Sequence, residues 1–148
     1  MKKLLKNMSV VFICVVLACM TVGPCVANAY SSDPLTISKL VSLPANGVKV
    51  NMGQVRKTNT SSSDNYSTII AKKANYNGFS SMNVRLYRVQ TNGTIFFLSS
   101  TKTITPSSSQ QKIYYLSGLK YLKNDGIRFE GWQTSSSSKG ADVTLYGN

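Results

Sequence analysis

Residues 87–97 read YRVQTNGTIFF, and the fold turns on them. Asn92 and Gly93 stand between two runs rich in aromatic and β-branched residues, and both tolerate the positive φ angles of a tight hairpin. The stretch predicts two antiparallel strands joined by a two-residue turn. Working outward, the same kind of short β-prone run recurs along the chain. Candidate strands are 36–43, 47–56, 66–74, 82–90, 94–104, 110–117, 126–133 and 141–146. Between them lie turn-forming residues, with Asn77 and Gly78 as one turn and Asn124, Asp125 and Gly126 as another. The Ser-rich pieces 59–64 and 107–110 read as longer surface loops. No 3.6-residue period competes with this pattern. The expectation is an all-β chain, a single small antiparallel β-sandwich of about seven or eight strands spanning 36–148.

Alternation assigns the faces of these strands, because successive side chains in a strand point to opposite sides. Ile127, Phe129 and Gly131 share one side of their strand, and Arg128, Glu130 and Trp132 the other. Val143 and Leu145 point inward, leaving Asp142, Thr144 and Tyr146 outside. Val84 and Leu86 are core partners, with Arg85 and Tyr87 on the reverse. Ile113 and Tyr115 oppose Lys112 and Tyr114. The expected outer surface thus mixes basic and aromatic side chains.

The first 29 residues have the three parts of a secretory signal peptide. Lys2, Lys3 and Lys6 precede an apolar run from Val10 to Met20, and Ala27-Asn28-Ala29 is a small-x-small site. The expectation is a signal-peptide helix cleaved after Ala29, a loose lead-in at 30–35, and a secreted product. An alternative is lipid attachment at Cys19, since Val16, Leu17 and Ala18 loosely match a lipobox. Cleavage would remove all three cysteines and leave 119 residues. Such a chain must be held by its core, which at this length is feasible. It would retain 14 of the 17 Lys and Arg residues against five acids, a net charge of +9. A cation of this size is drawn to polyanions.

Chemistry is constrained by what the chain lacks. There is no histidine in the sequence, and after cleavage no cysteine, so the usual triads, thiol nucleophiles and zinc sites are not available. No glycine-rich phosphate loop or calcium loop is present, and Asp64 beside Asn65 is too little for a metal. No cofactor is expected. A glycosidase needs two carboxylates across a sugar, and only Asp125 and Glu130 are close in sequence. Their plainer reading is a turn aspartate and a surface glutamate near Arg128 or a lysine.

Binding is the function this composition favours. The candidate residues are Arg85, Tyr87, Lys112, Tyr114, Arg128 and Trp132, aromatics that can stack or sit at an interface beside cations that attract acidic groups. Each has a plainer role. Trp132 could plug the core or cap a strand, and Tyr87 and Tyr114 could simply shield the sheet beside their basic neighbours. Lys72 and Lys73 read as a solvated edge.

The terminal block YYLSGLKYLKNDGIRFEGWQTSSSSKGADVTLYGN, with the signal-like start and the Ser, Thr, Asn and Tyr-rich body, resembles small secreted β proteins of Gram-positive bacteria, among them lactococcin 972-type bacteriocins and related exported proteins. The resemblance covers mainly residues 110–148 and is one of pattern. It implies a cationic, envelope-directed secreted factor. The expected function is therefore non-enzymatic binding of an anionic envelope polymer or lipid surface, with bacteriocin-like antimicrobial action as one form of it and no specific nucleic-acid partner. The alternative is an extracellular matrix or cell-surface structural or interaction protein that recognises a polysaccharide or a protein, using exposed sheet edges for strand addition.

Overall fold

A computed structural model describes residues 33–57, 65–90, 92–117 and 125–148. The expected signal peptide, the cleavage site after Ala29, the Cys19 alternative, the first half of the lead-in, the Ser-rich loop 59–64 and Asn124 lie outside the described residues.

The described chain forms nine strands: β1 Thr36–Leu43, β2 Val50–Arg56, β3 Tyr66–Lys73, β4 Met82–Val89, β5 Ile95–Phe97, β6 Lys102–Ile104, β7 Ser107–Tyr114, β8 Gly126–Trp132 and β9 Lys139–Tyr146. They build two antiparallel sheets. One is ordered β1-β9-β3-β7, and the other β2-β8-β4-β5 with β6 also paired to β4. From β1 to β4 and from β6 to β9 every connection passes from one sheet to the other. Only β4, β5 and β6 follow one another within a sheet.

Period-two patterning explains the sandwich. Val84 and Leu86 on β4, Ile127 and Phe129 on β8, Met52 and Val55 on β2 face Ile69 and Ala71 on β3, Val143 and Leu145 on β9, and Ile113 on β7, all essentially inaccessible to solvent. Each large apolar side chain buried this way contributes about 1.5–3 kcal/mol. Beneath Gly131 the core is filled by Met52, whose sulfur would lie 2.5 Å from a Cβ at that position. Glycine is needed there so that β2 and β8 can pair around the Met52 side chain. Trp132, the next residue, consequently points away from the core.

The 87–97 hairpin forms, with Tyr87, Arg88 and Val89 opposite Phe97, Phe96 and Ile95. Its turn differs from the two-residue expectation. Gln90 N–H donates to Thr94 O at 2.9 Å and Gly93 N–H to Gln90 O at 2.8 Å, with Gly93 at φ 83°. Asn92 accepts the Thr94 N–H through Oδ1 at 2.9 Å. The Gln90–Thr94 closure makes a wider loop, with Gly93 in the left-handed position. The Asn-Gly pair with both φ positive is Asn46 and Gly47, at 60° and 78°, and it joins β1 to β2 across the two sheets.

Other differences have equally local causes. The expected strand 94–104 is broken into β5 and β6 because Leu98 turns into the core, fully buried. Both Leu98 and Ser99 N–H then reach Leu86 O, at 3.0 and 3.4 Å, while Ser99 Oγ accepts the Leu86 N–H at 2.9 Å. The Ser-rich piece 107–110 is not a loop but the start of β7. Its serines lie on an edge strand, where backbone pairing to β3 is compatible with solvated side chains. Asp125 is also no surface turn: it is buried and paired with Arg88 Nε at 2.7 Å.

That ion pair belongs to a polar plug at one end of the sandwich. The fully buried Lys57 donates through its backbone N–H to Asp125 O at 2.9 Å and through Nζ to Asn148 O at 3.1 Å. Its ammonium lies 5.4 Å from the Tyr115 ring, and the Tyr115 hydroxyl shares a 2.6 Å hydrogen bond with Ser67 Oγ.

Candidate functional site

The outer face of the five-stranded sheet is built by register. Across β4 and β8, Asn83 stands opposite Trp132, Arg85 opposite Glu130, and Tyr87 opposite Arg128. On the other flank of β4, Phe97 of β5 stands opposite Tyr87. These are the alternate positions to the buried Val84, Leu86, Ile127 and Phe129, so the same periodicity that makes the core also makes this face.

Rings and cations interleave across it. The Arg85 guanidinium carbon lies 5.3 Å from the Phe97 ring centre and 5.7 Å from the Trp132 ring centre. Lys49, which precedes β2, places Nζ 5.2 Å from the Trp132 ring and 3.4 Å from Glu130 Oε1. Phe97 and Tyr87 pack with centroids 5.1 Å apart. Contacts of a cation with a ring at exposed sites contribute about 0.5–1 kcal/mol each, enough to hold the two cations in place while leaving their charge outward. Arg85 is further fixed by donating from Nε and from its second terminal nitrogen to Thr101 Oγ1, at 3.2 and 2.7 Å.

Glu130 is the negative member. It accepts a 2.8 Å hydrogen bond from the Tyr87 hydroxyl. Partial burial raises the Tyr87 phenol above its ordinary value, the Glu130 hydrogen bond and charge add to this, and Arg85 works against it. The Glu130 carboxylate is thus paired with Lys49 and stands opposite Arg85 in the register. Arg128 lies on the same face with its Nε buried.

Of the six side chains expected to bind, Arg85, Tyr87, Arg128 and Trp132 share this face. Lys112 and Tyr114 do not. They lie on β7, at the edge of the other sheet, where Lys112 Nζ sits 4.2 Å from the Tyr66 ring centre and Tyr114 meets Tyr66 edge-on at 5.7 Å. The six therefore form two clusters on opposite sides of the sandwich. Sequence reading missed Phe97 and Lys49. Phe97 was open to recognition, since the hairpin register sets it beside Tyr87; Lys49 was hidden because its position depends on the turn at Asn46 and Gly47.

Among the described residues, no three His, Cys, Asp or Glu side chains come together to hold a metal ion. Fold and face together define a two-sheet antiparallel β-sandwich with an exposed cationic, aromatic side. No protein-family model matches the chain, and no curated protein matches it. The chain is similar to a solved structure described as "Crystal structure of PirA", at 9% sequence identity and a TM-score of 0.42, over 74% of this chain and 91% of that one.

Proposed function

We propose that this protein is a secreted, cationic, non-enzymatic β-sandwich that binds an anionic component of a cell envelope through the outer face of its five-stranded sheet. The observation that carries the reading is the station of Arg85 between Phe97 and Trp132, with Lys49 on the far side of the indole. Net positive charge draws the molecule to the surface; the fixed cations then meet phosphate or carboxylate groups while the rings exclude water at the contact. Bacteriocin-like action against a sensitive cell is the form in which this binding would be antimicrobial.

The test is binding of the purified protein to vesicles containing phosphatidylglycerol and to isolated cell walls over a range of salt. Affinity should fall steeply as salt rises, since exposed charges are screened within about 10 Å at 0.1 M salt. Changing Arg85 and Lys49 together to alanine should weaken binding about tenfold or more. Absence of binding at low salt, or indifference to the double change, would sink the reading.

A second reading, a matrix or cell-surface interaction protein, is favoured by β5. Ile95, Phe96 and Phe97 are all exposed on this edge strand, at 44, 47 and 58%, and a patch of this kind commonly meets a partner. Self-association that Phe96→Ser abolishes, without killing of bacteria, would favour it.

A further inference from the structure

The other sheet carries a shaped site of its own. A groove of about 650 Å³ lies on the outer side of the four-stranded sheet, within the range of small-ligand sites. Its floor is set by register, with Leu40 beside Asp142 and Ser42 beside Gly140. Its wall is residues 74–78, between β3 and β4. That wall is clamped onto β9: Ala74 and Phe79 N–H donate to Gly140 O at 3.3 and 3.2 Å, and Gly140 N–H donates to Asn77 O at 3.0 Å. A Cβ at position 140 would lie 2.7 Å from Ala74 Cβ, so glycine is what lets the wall seat. Asn77, at φ 53°, completes the clamp by donating its amide to Ser138 O and accepting from Lys139 Nζ at 2.8 Å. The groove is thus preformed, which lowers the ordering cost of filling it.

What the clamp holds up is unusual. Tyr76 is 90% exposed and Leu40 70%, the two most exposed large apolar side chains among the described residues. A tyrosine fixed on a pinned segment and turned almost wholly to water does nothing for the core. It is a platform. Around it the polar residues that line the groove include Asn75, Ser42, Asp142 and Lys73. Polar residues around one flat apolar surface match a ligand with a C–H face and a rim of hydroxyls. Two lysines, Lys73 and Lys139, against one aspartate add a preference for negative charge.

We infer that this groove binds an acidic saccharide. One sugar ring stacks on Tyr76 against Leu40; its hydroxyls hydrogen-bond with Asn75, Ser42 and Asp142; a carboxylate on the same or the next sugar pairs with Lys73. The site is independent of the envelope-binding face, which lies on the opposite sheet.

Titration of the full-length protein with hyaluronan and alginate tetrasaccharides, followed by NMR and calorimetry with neutral chitotetraose as control, tests it. At least one acidic probe should bind about tenfold more tightly than chitotetraose, and Tyr76→Ala should weaken it about tenfold. Lys73→Ala should bring the acidic and neutral probes together. Tyr76 is exposed, so its variant should keep the parent circular dichroism. Failure of both acidic probes to bind at millimolar concentration, equal affinity for the neutral one, or binding indifferent to Tyr76→Ala would each overturn the inference. The Tyr76 and Lys73 variants are read against the parent protein, so their results report on the groove and not on vesicle binding by the opposite face.

Discussion

Tyr87 shows how much of the candidate face rests on single side chains. Its phenol links β4 to Glu130 on β8 and is held above its ordinary pKa, near 10, first by burial and then by Glu130. Below pH 10 the proton is bound in both folded and unfolded chains and its contribution to stability is intact. As pH rises past the ordinary value the unfolded chain loses the proton first, so stability falls until the folded-state pKa is passed. Tyr87→Phe should therefore cost about 1 kcal/mol at neutral pH, the worth of one hydrogen bond, and should lose less further stability than the parent between neutral pH and pH 11. Urea unfolding at the two pH values measures both, and equal alkaline losses in parent and variant would count against the Tyr87–Glu130 link. Alternation along 126–133 made the outward direction of Arg128, Glu130 and Trp132 legible in the sequence. The burial of Asp125 was not legible: Asn-Asp-Gly is a turn signature, and only the ion pair with Arg88, 37 residues away by numbering, removes that aspartate from the surface.

At the level of elements, the interruption between β5 and β6 is the feature local sequence hid. Residues 94–104 read as one run because Ile95, Phe96, Phe97 and Leu98 all favour strands. A continuous strand would have kept period two to the end, but Leu98 fills the core beside Leu86 while Ser99 takes over the hydrogen bond that the ladder gives up. Leu98→Ala should cost about 2–5 kcal/mol, as for other buried leucines, read as a lower urea midpoint with an unchanged slope. A cost below 1 kcal/mol would show that Leu98 does not anchor the break. β1, β3, β4 and β9, by contrast, were visible as patterns because tertiary packing reinforces their period. The turn at Gly93 was half visible: the Asn92-Gly93 pair marked the place of the hairpin, but the number of loop residues is set by how β4 and β5 pair, which a dipeptide does not record.

For the molecule as a whole, the two outer faces are chemically different although composition makes them look alike. Arg85, Lys49 and Trp132 lie on one side, and Lys112, Tyr66 and Tyr114 on the other, so reading the basic and aromatic residues as one site merged two. The difference is measurable: Lys112→Ala should leave vesicle affinity within about twofold of the parent, whereas the Arg85 and Lys49 change should not. Equal losses would mean that net charge alone drives attraction. Which residues share a side is set by sheet order, β2-β8-β4-β5 against β1-β9-β3-β7, and sheet order comes from long-range pairing that no local pattern encodes. The edges of those sheets have a further consequence. β5 offers only three residues, about 10 Å of ladder at the rise of an extended chain, before the chain kinks at Leu98; β2 is bent by a bulge at Gly53, with φ 137°; and β7 presents serines, glutamines and Lys112. Edge-to-edge stacking of copies through β5, β2 or β7 would need a longer, flatter and more apolar template than these three strands provide, which leaves β1, with eight residues, as the remaining edge. A partner that grips β5 must do so through side chains, and the protein can expose Ile95, Phe96 and Phe97 without that strand becoming a seed for aggregation.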